Sequence, residues 1–288
     1  MSTKKGAALD IGPTVMKVVH GLLLKHGIAE RLQSVVATAK PFRVLGLDIN
    51  TNTTGYVVLN ERGRLADAGH VSTKHLSSES QILDIGVDIA STLQRLHSTS
   101  ETLPWVVGIE DFLKTYAGGR FHTKGLFQLA QLNGLVSYSC YTTFGARPQH
   151  VHPTTARALF RLAKPKDTNK QRKDAIKHIV LDFALAMEPA LVRPEAPASF
   201  KYDVADAYVI ALFTYWRHIA DLALAADAAW TQSVTAATNL ALAKPLARKA
   251  AAAPELDLQA HVASLLRAHV EQHIKDTLPP RAFAPSTY

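Results

Sequence analysis

Residues 44–72 hold three short extended runs with only turns between them, and the rest of the chain has to pack around that unit. Val44-Leu45-Gly46-Leu47-Asp48-Ile49 is an apolar run of the length of a buried strand. The polar stretch 50–54 turns the chain into Gly55-Tyr56-Val57-Val58-Leu59, and Asn60-Glu61-Arg62-Gly63 turns it again into a third strand at 64–72. The period then changes. Ile82, Ile85, Ile89, Leu93 and Leu96 recur at three- and four-residue spacing, which predicts an amphipathic helix over 78–97. Residues 105–109 read as a strand ending on Glu110-Asp111, 118–139 as a helix opened by Gly118-Gly119, and 149–152 as a brief strand before Pro153. A short helix over 154–162, a polar loop, a helix over 169–187, a proline-bearing connection at 189–197 and a last helix from Asp203 through Tyr215 follow. The order βββαβαβαα predicts one mixed α/β domain over 43–216.

The flanks differ in character. Residues 1–42 form a weakly amphipathic, lysine-rich helical extension (Val15, Val18, Val19, Leu22, Leu23, Ile28, Leu32, Val35, Val36). It reads either as an organellar targeting segment or as a small nucleic-acid-binding appendage, and Asp10 and Glu30 are unusual in the former. Residues 217–288 make a helical C-terminal extension in which 15 of the 34 residues from 220 to 253 are alanine, ending in a tail expected to be disordered. No run approaches the ~18 uninterrupted apolar residues of a membrane helix, so no membrane partner is expected. The single cysteine, Cys140, excludes an intramolecular disulfide and a thiolate metal cluster.

Charge is unevenly placed. The chain carries +8, but 145–178 holds nine Lys/Arg against two Asp, and 1–43 holds seven against two. The remainder is net acidic, and it contains the most informative residues. Asp48 lies inside the first apolar strand, where an ionised group is costly without a counter-charge. Glu110 ends the strand at 105–109, and Asp203 and Asp206 are three apart at the start of the last core helix. No Lys or Arg falls in the same stretches to neutralise them. Plainer roles exist for each: Asp203 as an N-cap, Asp206 as a first-turn acid favoured by the helix dipole, and Glu110 paired with Lys114. Asp48 is the hardest to explain in that way. Four converging carboxylates call for hard cations with oxygen-only ligation, as Mg²⁺ prefers, and two such ions suit phosphodiester hydrolysis.

These pieces together resemble the RuvC-type Holliday-junction resolvases of the ribonuclease H-like superfamily. Leu45-Gly46-Leu47-Asp48 with Thr54-Gly55-Tyr56-Val57-Val58 is similar to the family's first-strand motif, and Gly108-Ile109-Glu110-Asp111-Phe112 to its Ile-Glu at the fourth strand. Residues 126–136, with Gln128, Gln131, Asn133 and Gly134, resemble the helix after it, and Asp203-Val204-Ala205-Asp206-Ala207-Tyr208 the closing Asp-x-x-Asp-Ala helix. The chain departs from the family at Ile49-Asn50-Thr51, where Pro-Gly is usual, and in its basic region and terminal additions.

The resemblance implies a ribonuclease H-like mixed β-sheet flanked by helices, with helical N- and C-terminal extensions. It further implies a homodimer that cuts branched DNA with two Mg²⁺ ions, Mn²⁺ substituting. Asp48 would bridge both ions, Glu110 bind one, and Asp203 and Asp206 complete the site, one as base. An N-terminal helical extension is similar to that of the fungal mitochondrial members, which makes the mitochondrion the expected compartment.

Phosphate contacts are expected from Lys114, Arg120 and Lys124 around the Gly118-Gly119 loop and from Lys164, Lys166, Lys170, Arg172 and Lys173. Tyr116 and Phe121 flank that loop, either wedging into an opened junction or packing beneath it. His122, His150 and His152 are candidates for proton transfer. A second reading keeps the fold and changes the substrate to structured or ribosomal RNA, as in RuvC-like factors of organellar ribosome assembly. The actin-like kinases, whose first phosphate loop residues 48–54 faintly echo, need two such domains and a second glycine-rich loop that this chain lacks.

Overall fold

The computed structural model describes residues 21–73, 82–100, 102–111, 123–162, 175–193 and 196–237, together with Leu240 and Ala268. The chain divides into two compact units, one built on residues 38–218 and the other combining residues from the N-terminal segment with the stretch that begins at Ile219.

The larger unit is organised by a five-stranded sheet in the order β3-β2-β1-β4-β5. β1 (Arg43–Asp48) pairs antiparallel with β2 (Thr53–Asn60), which pairs antiparallel with β3 (Leu65–Ser72). β4 (Trp105–Glu110) lies parallel to β1, and β5 (Gln149–Val151) parallel to β4. The mixed sheet with helices on both faces is a ribonuclease H-like fold. Turn chemistry explains the meander. Asn60 Oδ1 accepts from the amides of Arg62 and Arg64, and Gly63 takes φ +68°. At the β1–β2 turn Asn50 Oδ1 accepts from the amide of Asn52, and Ile49 is buried in the core.

Strand alternation sorts the two faces. Leu45, Leu47, Tyr56, Val58, Trp105, Val107 and Ile109 pack against α2 (Ile82–Ser98) and α3 (Thr123–Phe144), through Ile85, Ile89, Leu93, Leu96, Leu132, Val136 and Cys140. Full burial of each large side chain here is worth about 1.5–3 kcal/mol. The opposite face carries Gly46, Gly55 and Gly108, over which lies α6 (Ala198–Ala225). A Cβ on Gly46 would strike the backbone of Ala207 and Ala211, and one on Gly55 the backbone of Asp203. Gly46 and Gly55 therefore let the helix backbone rest directly on the sheet, and Gly108 makes room for the Thr214 side chain. Between these elements come α4 (Pro153–Leu159) and α5 (Ala175–Met187).

The last core helix begins five residues before the expected start at Asp203. The amides of Phe200 and Lys201 bond to the carbonyl of Pro197, so the proline-bearing connection ends as a helix start.

In the smaller unit, α1 (Ile28–Thr38) buries Ile28, Leu32 and Val35. Arg31 bonds the Ala223 carbonyl at 2.7 Å, and Trp230, on α7 (Ala228–Ala237), donates Nε1–H to the His26 carbonyl at 2.7 Å. Among the described residues no single helix is long and apolar enough to cross a membrane.

Candidate active site

The alternation that faces Gly46 and Gly108 toward α6 does the same for the residues two positions on, Asp48 and Glu110. Leu47 and Ile109 are partners in the parallel ladder, so the two acids stand one step further along neighbouring strands. α6 brings Asp203 and Asp206 to the same face, one turn apart, because Gly55 admits the backbone at Asp203. Asp203 lies in the second turn of α6, so the N-cap role is excluded.

The charges feel one another strongly. Burial is the largest influence on Asp48 and holds its carboxyl well above the usual range, and Glu110 and Asp206 push it further. A hydrogen bond between the two carboxyls raises Asp48 further and lowers Glu110. Glu110 is raised to about 7, first by burial and then by Asp206. Asp203 is raised to about 6 by burial, with Lys177 pulling the other way.

Two residues complete the arrangement. Asn133 of α3, buried, donates Nδ2–H to the Glu110 carbonyl at 3.2 Å, pinning the end of β4. Arg157 of α4 forms an ion pair with Asp206 at 2.6 Å. Burial works against the guanidinium charge, and the attraction of Asp206, Glu110 and Asp48 more than offsets it. Its Nε is buried with no hydrogen-bond partner among the described residues. No Lys or Arg lies in the stretches that carry the acids, but Arg157, 49 residues from Asp206 along the chain, reaches that aspartate from α4.

The donor set is oxygen-only, as hard divalent cations require. In this arrangement no three His, Cys, Asp or Glu side chains among the described residues close on one point as a metal cage. Asp48 is engaged with Glu110 and Asp206 with Arg157. The fit to Mg²⁺ is therefore one of chemistry: hard, mutually repelling donors whose raised proton affinity ligation would oppose.

His150 is set apart from this cluster. It pairs with Ile109, so it faces α3, where its ring lies 3.4 Å from Ser137 Oγ, on the sheet face opposite the acids. His152 contacts Thr154 beside it. Lys114, Tyr116, Arg120, Phe121, His122, Lys164, Lys166, Lys170, Arg172 and Lys173 lie outside the described residues, as does the side chain of Lys124.

No family model matches the chain, and no curated protein matches it in sequence. Among solved structures it is similar to Thermus thermophilus RuvC in complex with a Holliday junction substrate, at 16% identity over 62% of this chain and 96% of that one, with a TM-score of 0.41. It is similar also to T. thermophilus RuvC determined separately, at 15% identity over 60% and 92%, TM-score 0.38. A third likeness is to the yeast mitochondrial Holliday junction resolvase Ydc2, at 11% identity over 69% and 92%, TM-score 0.38.

Proposed function

We propose that the chain is a divalent-metal-dependent endonuclease that hydrolyses phosphodiester bonds in branched DNA, a Holliday-junction resolvase working as a homodimer. The observation that carries this reading is the gathering of Asp48, Glu110, Asp203 and Asp206 on one sheet face, close enough for the acids to raise one another's proton affinity. Such a set is destabilising until cations enter it. Mg²⁺ held by these four residues would supply an activated water and charge stabilisation at the leaving oxygen. The chain's own residues do the rest. Asn133 fixes the Glu110 strand end, and α6 fixes the two aspartates over it. The unpartnered Nε–H of Arg157 offers a donor to a phosphate oxygen, where charge builds as the bond breaks.

The homodimer has a surface suited to it. α3 carries no charged residue after Lys124, yet exposes Phe127 (65%), Tyr138 (69%) and Tyr141 (55%). Phe127 and Tyr141 stand seven residues either side of Gly134, whose Cβ position is open space. Two copies of α3 crossing antiparallel at Gly134 would set Phe127 of each against Tyr141 of the other, beside a cavity of about 390 Å³ lined by Ser137, Tyr138, Tyr141, Arg147, Pro148 and His150. On a chain of charge +8, a neutral face is where like copies approach without repulsion.

The test is cleavage of a synthetic four-way DNA junction with Mg²⁺ or Mn²⁺. Wild type is expected to cut it. Asp48→Asn is expected to abolish cutting and leave binding intact or tighter, because it removes a carboxyl that would hold the metal and leaves the basic phosphate contacts in place. Junctions left uncut by a wild type that binds ribosomal RNA tightly would transfer the site to RNA.

A further inference from the structure

Beside the carboxylates, the first turns of α6 present two aromatic rings, each met by a histidine from another element. Phe200 stacks on His70 of β3, centroids 3.8 Å apart and planes at 25°. Tyr202 meets the His178 ring of α5 edge-on at 5.3 Å, and its hydroxyl lies 3.1 Å from His178 Nε2. Lys177 Nζ stands 5.6 Å from the centre of the same Tyr202 ring. On α6, Val204, Ala207, Tyr208 and Ala211 are buried, whereas Tyr202 is half-buried.

Lys177 and His178 are exposed. Among the described residues no carboxylate lies within ion-pair distance of Lys177, although its charge is felt at Asp203. An ammonium group held over a phenol ring and an imidazole fixed by that phenol's hydroxyl are ordered at a cost in side-chain entropy. Both groups are exposed, so this ordering is not a by-product of core packing. What they offer outward is a cation and a ring N–H side by side, the chemistry that takes a phosphate oxygen. Tyr202 is one helical turn, about 6 Å of rise, from Asp206. A strand lying across the carboxylates therefore passes this ledge with a neighbouring phosphate.

We propose that Lys177 and His178, positioned by Tyr202, form a phosphate-binding subsite for the strand leaving the four carboxylates, its ligand the phosphodiester next to the one being cut. The subsite rests on the nuclease reading and deepens it: it gives the substrate strand a direction, from the acids toward α5.

The test is fluorescence anisotropy of a labelled four-way junction bound to the full chain in EDTA, so that nothing is cut, over a salt series. Lys177→Gln is expected to weaken binding about three- to tenfold at low salt and to flatten the slope of log K against log salt by about one. His178→Gln and Tyr202→Phe are expected to weaken binding less, and Lys177→Arg to keep it. A junction strand carrying 5-iodouracil beside the branch is expected to crosslink to Tyr202 on irradiation. Wild-type affinity and slope in Lys177→Gln and His178→Gln, in a protein that binds and cuts the junction, would overturn the subsite and leave the nuclease reading standing. A wild type that neither binds nor cuts the junction would remove both.

Discussion

Asp48 is the residue whose function is easiest to see in the amino-acid sequence, because a carboxyl inside an apolar strand has no structural purpose of its own. Burial first, and then the neighbouring acids, raise its proton affinity, and that has a measurable consequence. Carboxyls held above their ordinary pKa bind protons more tightly in the folded protein than in the unfolded chain. They favour folding below about pH 4, and the advantage is lost as pH rises through about 6 at Asp203 and about 7 at Glu110. In a chelator the thermal midpoint is therefore expected to fall between pH 5 and pH 8. A tenfold change in proton affinity is worth about 1.4 kcal/mol, and each kcal/mol moves Tm by about 2–4 °C in a domain of this size. Asp48→Asn is expected to shallow the fall, and Mg²⁺ to oppose it. Circular-dichroism melts with a flat or rising midpoint for wild type would contradict the coupling of these carboxyls. Arg157, by contrast, is legible in the sequence only as one of nine basic residues in its segment. Its pairing with Asp206 is a contact between α4 and α6, and no spacing in the sequence encodes it. Asn133 is visible as part of a helix motif, but its bond to the Glu110 carbonyl depends on where β4 ends in space.

At the level of elements, the switch from two-residue to three- and four-residue periods locates the strands and helices, with differences at their ends. The early start of α6 is masked in the sequence because Asp203 is itself a good helix-starting residue and competes with Pro197 for that role. The placement of α6 over β1, β2 and β4 is likewise hidden, since a glycine in an apolar run reads as easily as a bulge or a bend. Gly46→Ala tests that placement. The added methyl meets helix backbone, not a flexible side-chain end, so no change of rotamer can make room for it. A loss of about 1–3 kcal/mol or more is expected on denaturant unfolding, with junction cleavage reduced beyond the loss of folded protein. A neutral Gly46→Ala would mean that α6 sits higher over the sheet.

For the molecule as a whole, the +8 charge resolves into two basic segments, 1–43 and 145–178, and an acidic remainder that includes the four carboxylates. Much of the basic material lies outside the described residues, while Arg157 and Lys177 show how part of it is drawn to the acids. The neutral face of α3 belongs to the same scale. Wild type is expected to run at twice the chain mass in light scattering, and Tyr138→Asp at the chain mass with helicity retained. A wild-type monomer would remove the pairing at Gly134. The seat of α6 on three glycines carries a last consequence. Where side chains separate two elements, a family of sequences can drift in spacing as those side chains change size. At Gly46 and Gly55 main chain lies against main chain, and at Gly108 only the Thr214 side chain intervenes, so the span from the strand acids to the helix acids is set chiefly by peptide geometry, a ruler that substitution elsewhere cannot stretch. Variation around the site is then free to retune charge, access and strand grip while the distance between its two halves stays constant.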